Sequence, residues 1–196
     1  MTNWYTLIQS RTLRGGSVLF VNSIKKDIRR LSITLFGDSK KSYYRYKFPV
    51  DLPEYRFFLN SPAHKGKFAN AVDIEVPNSE QTPITIYAPQ SGIVRYCVLS
   101  NSTWGTSSEF KGYLNWIHVE VGNDEFYEIA HIASHPKKII RVGTKVKIGE
   151  PILLTALNGW VTTTNGVPDY HVHFLVGRWS NKEKGEFESL KIKWRK

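Results

Sequence analysis

Three short stretches of this chain set imidazoles and carboxylates where they could do chemistry. In Tyr170-His171-Val172-His173-Phe174 the alternation of a strand would point His171 and His173 to one face and send Val172 and Phe174 into a core. Two imidazoles side by side either share a metal or divide labour, one binding and one titrating. His64 sits in the turn-like Ser61-Pro62-Ala63-His64-Lys65-Gly66, where a ligand can be aimed freely. Asp73 follows in Ala71-Val72-Asp73-Ile74-Glu75-Val76, whose strict alternation puts Val72, Ile74 and Val76 on one face and Asp73 on the other. Glu75 shares that second face as a rival carboxylate, its expected role being a solvated strand charge. His131 closes the strand-like Phe126-Tyr127-Glu128-Ile129-Ala130. His118 reads as a strand-surface residue and His135 as a loop residue. A histidine and aspartate set of this kind suits zinc, which takes ligands at ~2 Å and keeps one position open where it is catalytic. Spacing alone leaves open which histidine of the pair would ligate. Cys97 is the single cysteine, which excludes an intramolecular disulfide and a cysteine metal cage.

The elements needed to position these groups are mostly strands. Besides those above, strands are expected over residues 84–87, 92–98, 116–121, 125–130, 145–148 and 172–176, separated by turns rich in Gly, Pro and Asn. Residues 99–111, rich in Ser, Thr and Gly, read as a loop. Ahead of this region, residues 31–36 and 43–50 look like strands. Residues 21–31 form the one amphipathic helical candidate, with Ile24, Ile28 and Leu31 at helical spacing. Such a density of short strands predicts a mainly β protein, an antiparallel β-sandwich or barrel-like domain with a short α/β N-terminal extension.

At 196 residues the chain is long enough for a real core, and its net charge of +10 is unevenly spread. Residues 1–60 hold 11 basic against 4 acidic side chains, residues 61–176 hold 9 against 10, and residues 177–196 hold 7 against 3. All six histidines lie in the nearly neutral middle. The flank Lys40-Lys41-Ser42-Tyr43-Tyr44-Arg45-Tyr46-Lys47 could track a polyanion, or be a strand with one aromatic face packed and one cationic face solvated. Lys191-Ile192-Lys193-Trp194-Arg195-Lys196 reads the same way. No apolar run approaches the ~20 residues of a membrane helix, or the ~7–15 of a signal-peptide core. The expectation is therefore a chain cytoplasmic on synthesis whose final location is open: release by lysis, a phage particle, a specialised secretion route or an intracellular substrate all fit.

The order of these pieces resembles the lysostaphin-type, or LytM-like, zinc endopeptidases. The chain supplies His64, then Ala71-Val72-Asp73, then Ala88-Pro89-Gln90-Ser91-Gly92-Ile93-Val94. Asn115 to Val119 and Tyr127 to His131 follow, then the ladder Val142-Gly143-Thr144-Lys145-Val146-Lys147-Ile148-Gly149-Glu150-Pro151-Ile152, and His171-Val172-His173-Phe174. The resemblance implies one zinc per chain held by His64, Asp73 and His173, with His131 and His171 as an unligated catalytic pair. It implies hydrolysis of peptide bonds in peptidoglycan cross-links or another envelope peptide, by zinc-activated water with histidine acid/base catalysis. The longer His64–Asp73 interval and Tyr170, where the family often has Pro, are departures. On this reading residues 60–178 form the peptidase domain, with a basic, aromatic-rich extension at 1–59 and a basic tail at 179–196. The expected form is a monomer whose flanks could meet an anionic envelope polymer, nucleic acid being disfavoured. Competing readings are a non-catalytic binding or regulatory module of the same fold, a lipoyl- or biotinyl-type carrier, and a basic polyanion- or nucleic-acid-binding protein using the flanks. The carrier would need an exposed lysine at a hairpin tip flanked by apolar residues, which is missing.

Overall fold

Side-chain alternation along one long strand divides this protein into a core face and a site face. The computed structural model describes residues 40–51, 56–58, 61, 63–75, 82–161, 163–164 and 167–195. The helix expected over residues 21–31 and the strand over 31–36 lie outside the described residues. Within them the chain runs through β1 (Lys41–Tyr46), β2 (Arg56–Phe58), β3 (Val72–Glu75), β4 (Thr85–Tyr87), β5 (Gly92–Val98) and β6 (Trp104–Gly105). After a 3-10 turn at Ser108–Tyr113 come β7 (Trp116–Gly122), β8 (Glu125–Ala130), β9 (Ile132–Ser134), β10 (Lys145–Val146), β11 (Pro151–Thr155) and β12 (Gly159–Trp160). Then follow β13 (Thr163–Thr164), β14 (Val167–Pro168), β15 (His171–Asn181), β16 (Glu186–Ser189) and β17 (Lys191–Trp194). The fold is mainly β, as expected. No helix among the described residues is long and apolar enough to cross a membrane.

The main sheet is antiparallel, in the order β10-β5-β7-β8-β15-β3-β2, with β16 paired to the far half of β15. On one of its faces Val72, Ile74, Ile117, Val119, Tyr127, Ile129, Val172, Phe174 and Val176 are buried in one apolar cluster. The small sheet β4-β11-β9 adds Ile86, Ile132, Ile152 and Leu153 to that cluster, which makes the two layers of a sandwich. The opposite face carries the alternate residues of the same strands. There Ala71, Phe126, Leu175 and Trp179 form a second, smaller apolar cluster beside the histidines. Gly177 is required on this face, since a Cβ there would lie 2.5 Å from the Phe126 ring.

Strand boundaries follow tertiary partners more than local pattern. Residues 92–98 and 125–130 form strands as expected. The strand expected over 172–176 runs on to Asn181, because β16 supplies a second partner and Trp179 packs against Phe126. Residues 145–148 keep only a two-residue strand, since Glu150 turns the chain by accepting from Lys147 N at 2.9 Å. Residues 99–111 are not all loop, as Trp104–Gly105 pairs in parallel with β12.

The two basic flanks meet. β1 and β17 pair in parallel, with Lys41 opposite Lys191 and Arg45 opposite Lys193. Ser42 and Tyr46 are buried while Lys41, Tyr43 and Arg45 are exposed, so the strand packs one face and solvates the other. A fully buried carboxylate clamps this ribbon to the main sheet. Glu125 accepts from Tyr43 N at 2.7 Å, Tyr44 N at 3.3 Å and the Tyr46 hydroxyl at 2.8 Å, with Arg178 at 3.5 Å. Glu125→Ala would strand these donors and leave Arg178 without its buried partner. A loss of about 3 kcal/mol is expected, read as a lower urea midpoint at unchanged slope.

Candidate metal centre

Pairing of β15 with β3 sets His173 opposite Asp73, Val172 opposite Ile74 and Phe174 opposite Val72. The apolar partners go into the core, so His173 and Asp73 share the other face. His64 arrives from outside the sheet, on the turn that precedes the 3-10 segment Gly66–Phe68, its backbone N–H bound to Ser61 O at 2.9 Å. Its Nε2 lies 3.1 Å from Asp73 Oδ1 and 3.3 Å from His173 Nδ1, and His173 Nδ1 lies 2.8 Å from Asp73 Oδ1. A tetrahedral ion with bonds of ~2.0–2.1 Å needs donors about 3.3 Å apart. Two imidazole nitrogens and a carboxylate oxygen at 2.8–3.3 Å therefore fit a divalent ion such as zinc, given a few tenths of an ångström of spreading. Among the described residues this is the one histidine and carboxylate cluster tight enough to hold a metal. Glu75 is not part of it, standing opposite His171 in the register.

Electrostatics reinforce the grouping. Burial works against the charge of Asp73, but hydrogen bonds to His173 and His64 outweigh it and hold this carboxyl well below the usual carboxylate range. Burial also works against a charged His173. Asp73 overrides it through its hydrogen bond and its charge, with Glu128 adding to the effect, and lifts the His173 pKa above the ordinary histidine value.

His131 and His171 stand beside this cluster as a pair, with ring centroids 4.3 Å apart. Burial, then the neighbouring imidazoles, pushes the His131 pKa well down, and burial lowers His171 too, so both rings are neutral at neutral pH. Each is oriented through Nδ1. That of His131 donates to Asn158 O at 2.8 Å and that of His171 to Asp169 O at 3.1 Å. His131 has a left-handed backbone, φ 59°, at the end of β8. This conformation is disfavoured for a residue bearing Cβ and persists where its surroundings over-determine it. Here His131 N donates to Asn115 O at 3.1 Å, Ala156 N donates to His131 O at 2.8 Å, and the ring is held by Asn158.

The groups that hold His131 escaped the sequence reading. Asn115 and Asn158 are buried and joined, Asn158 Oδ1 accepting from Asn115 N at 2.8 Å while both side-chain amides donate to Ile132 O at 3.0 Å. Gly159, at φ +73° and against Leu114, allows the turn that delivers Asn158. His118 is a correction. Expected on the strand surface, it is 7% exposed, stacked on Phe126 and hydrogen-bonded to Glu128, because the aromatic cluster covers this face of the sheet. Glu128 was also missed, although alternation along β8 places it on the same face as Phe126 and Ala130. His135 is the loop residue expected.

These groups open into a cleft of about 320 Å³ lined by Ala63, Phe68, Lys111, Leu114, Glu128, His131, Trp160 and His173. Its walls are apolar except at the floor, where the titratable groups lie. Lys111 stands at the rim with its ammonium 4.9 Å from the Trp160 ring centre.

In fold the chain is similar to solved M23-type peptidases. One is a zinc containing peptidase from Vibrio cholerae, at 21% identity and TM-score 0.43, covering 68% of this chain and 36% of that one. The chain thus spans about a third of that peptidase. A second is the catalytic domain of a variant of the prophage-encoded M23 protein EnpA from Enterococcus faecalis, at 19% identity and TM-score 0.42, covering 66% and 85%. It is also similar to a chain of the SpoIIQ–SpoIIIAH pore forming complex, at 18% identity and TM-score 0.48, covering 76% and 89%. No protein-family model and no curated protein matches the chain.

Asn158 offers a test of the buried scaffold. Asn158→Ala would leave Asn115 N without an acceptor and Ile132 O short of a donor. A loss of about 2 kcal/mol is expected in urea unfolding.

Proposed function

We propose that this chain is a zinc-dependent endopeptidase, with His64, Asp73 and His173 as metal ligands and His131 and His171 as the proton-handling pair. One observation carries the reading: donors from three separate stretches converge within 3.3 Å, beside two buried neutral imidazoles. When bound, zinc supplies a Lewis acid that polarises a carbonyl and lowers the pKa of water to about 7. Asp73 is the single anionic ligand of the three, so the site keeps a net positive charge toward a developing oxyanion. His131 and His171 each spend Nδ1–H on a backbone carbonyl, which leaves Nε2 to accept a proton and return it to the leaving amine. Their lowered pKa values keep that nitrogen unprotonated at neutral pH.

The substrate class proposed is a peptide of peptidoglycan or of another envelope polymer. Phe68, Leu114 and Trp160 offer apolar walls to an extended chain entering over His131 and His173. All five site residues fall within residues 60–178, the proposed peptidase region. The exposed cations of β1 and β17 suit an anionic envelope polymer alongside it.

Metal analysis combined with peptide release from envelope fragments tests the reading. The unmodified chain should carry one zinc, and chelation should abolish release. His64→Ala or Asp73→Ala should lose the metal. His131→Ala should keep it and lose 10²-fold or more in turnover. Full turnover by zinc-replete His131→Ala would remove its role, and a chain that takes up no metal would end the proposal.

A further inference from the structure

Beside His173 the aromatic face of the sheet nearly buries two polar side chains that the chemistry above does not use, His118 and Glu128, the latter also lining the cleft. The register sets His118 opposite Glu128, and Glu128 opposite Leu175, two residues along β15 from His173. Both are nearly buried, His118 at 7% and Glu128 at 8% exposure. A short hydrogen bond joins His118 Nε2 to Glu128 Oε2. The other carboxylate oxygen, Oε1, faces His173 Nε2 at 3.9 Å, an ion-pair contact longer than a hydrogen bond. His118 stacks on Phe126 with ring centres 4.6 Å apart and sits 4.7 Å from Trp116, and its Nδ1 has no hydrogen-bond partner among the described residues. A carboxylate is kept in such surroundings only where donors face it from more than one side.

His173 presents Nδ1 to Asp73 and His64, so Nε2 is the nitrogen at the far end of its ring. A neutral imidazole has two tautomers, and only the one protonated at Nε2 leaves an Nδ1 lone pair for a metal. We propose that Glu128 is a positioning residue for His173. Closing that 3.9 Å gap, its carboxylate receives Nε2–H, fixes that tautomer and ring angle, and makes Nδ1 a stronger donor. His118 in turn holds Glu128 in place by donating Nε2–H to it. The line His118–Glu128–His173 thus tunes metal affinity although neither outer residue belongs to the donor cluster. Outer partners of metal-bound histidines typically contribute 10–100-fold in affinity.

This inference rests on the metal-binding part of the proposed function, and the experiment separates the two. Zinc affinity of the full chain is measured by competition with a chelator of known affinity, for the unmodified protein, Glu128→Gln, His118→Phe and the double variant. Glu128→Gln keeps side-chain volume, and His118→Phe keeps the ring stack on Phe126. Each single variant should bind zinc more weakly, Glu128→Gln by 10–100-fold, and the double variant no more weakly than Glu128→Gln alone. Melting of the metal-free forms is the second readout. A role confined to packing would lower the melting temperature and leave affinity unchanged, and that result overturns the proposal. Unaltered affinity in Glu128→Gln overturns it as well, and additive losses in the double variant overturn the part given to His118. Should Glu128→Gln not fold, His118→Phe decides alone, affinity within twofold of the parent being fatal. A parent chain that binds no zinc overturns the metal centre itself, an outcome distinct from all of these.

Discussion

The register between β15 and β3 is the constraint on which the rest of this molecule depends. A strand has period two, so a slip of one residue would drive His173 into the apolar layer and bring Phe174 out beside Asp73. What prevents the slip is the core. Val72, Ile74, Val172 and Phe174 interlock with Tyr127, Ile129 and the residues of the small sheet, all nearly or fully buried. The energy that places the donor atoms is thus hydrophobic, though the atoms themselves are polar. The site face comes with the register, because the residues between the buried ones have nowhere else to point.

A strand can fix two such side chains this way, but it cannot by itself close a three-cornered cluster or aim a further imidazole at it. Those tasks fall to turns, and here they are done by hydrogen bonds to the backbone. His64 is carried in by a turn whose own N–H is bound to Ser61 O. His131 pays for a left-handed backbone and is held there by Asn115, Ala156 and Asn158. The buried amides of Asn115 and Asn158 are the polar counterpart of the core, each hydrogen-bonded through both its oxygen and its nitrogen. They turn a strand end, ordinarily a place that frays, into a fixed point.

Legibility in the sequence followed this division. The alternating residues of β3 and β15 showed which side chains shared a face, and His64, Asp73 and His173 do converge. The strands at 92–98 and 125–130 were readable from their apolar alternation and the turn residues around them. What could not be read was set by partners far along the chain. β6 exists because β12 lies beside it, and β15 extends because β16 returns to it. His118 looked like a surface residue, since alternation says only which face it occupies and not that Phe126, Trp116 and Trp179 roof that face over. Glu128 passed unremarked for the same reason. The resemblance in motif order singled out the three residues that cluster, but it held no information on the groups around them.

The donor triangle also has a consequence for protons. Without a metal, Asp73 and His173 satisfy each other, which is why one is held down and the other up in pKa. A divalent ion must displace that shared proton to reach Nδ1 of His173. Protons and metal therefore compete for the same nitrogen, and the competition favours the metal as pH rises through the raised His173 value. The neighbouring pair stands on the opposite footing. His131 and His171 are depressed by burial, so they stay neutral well into the range where His173 would hold its proton. His173 and the His131–His171 pair are thereby set apart by different physical causes, an anion in contact for one and desolvation for the other.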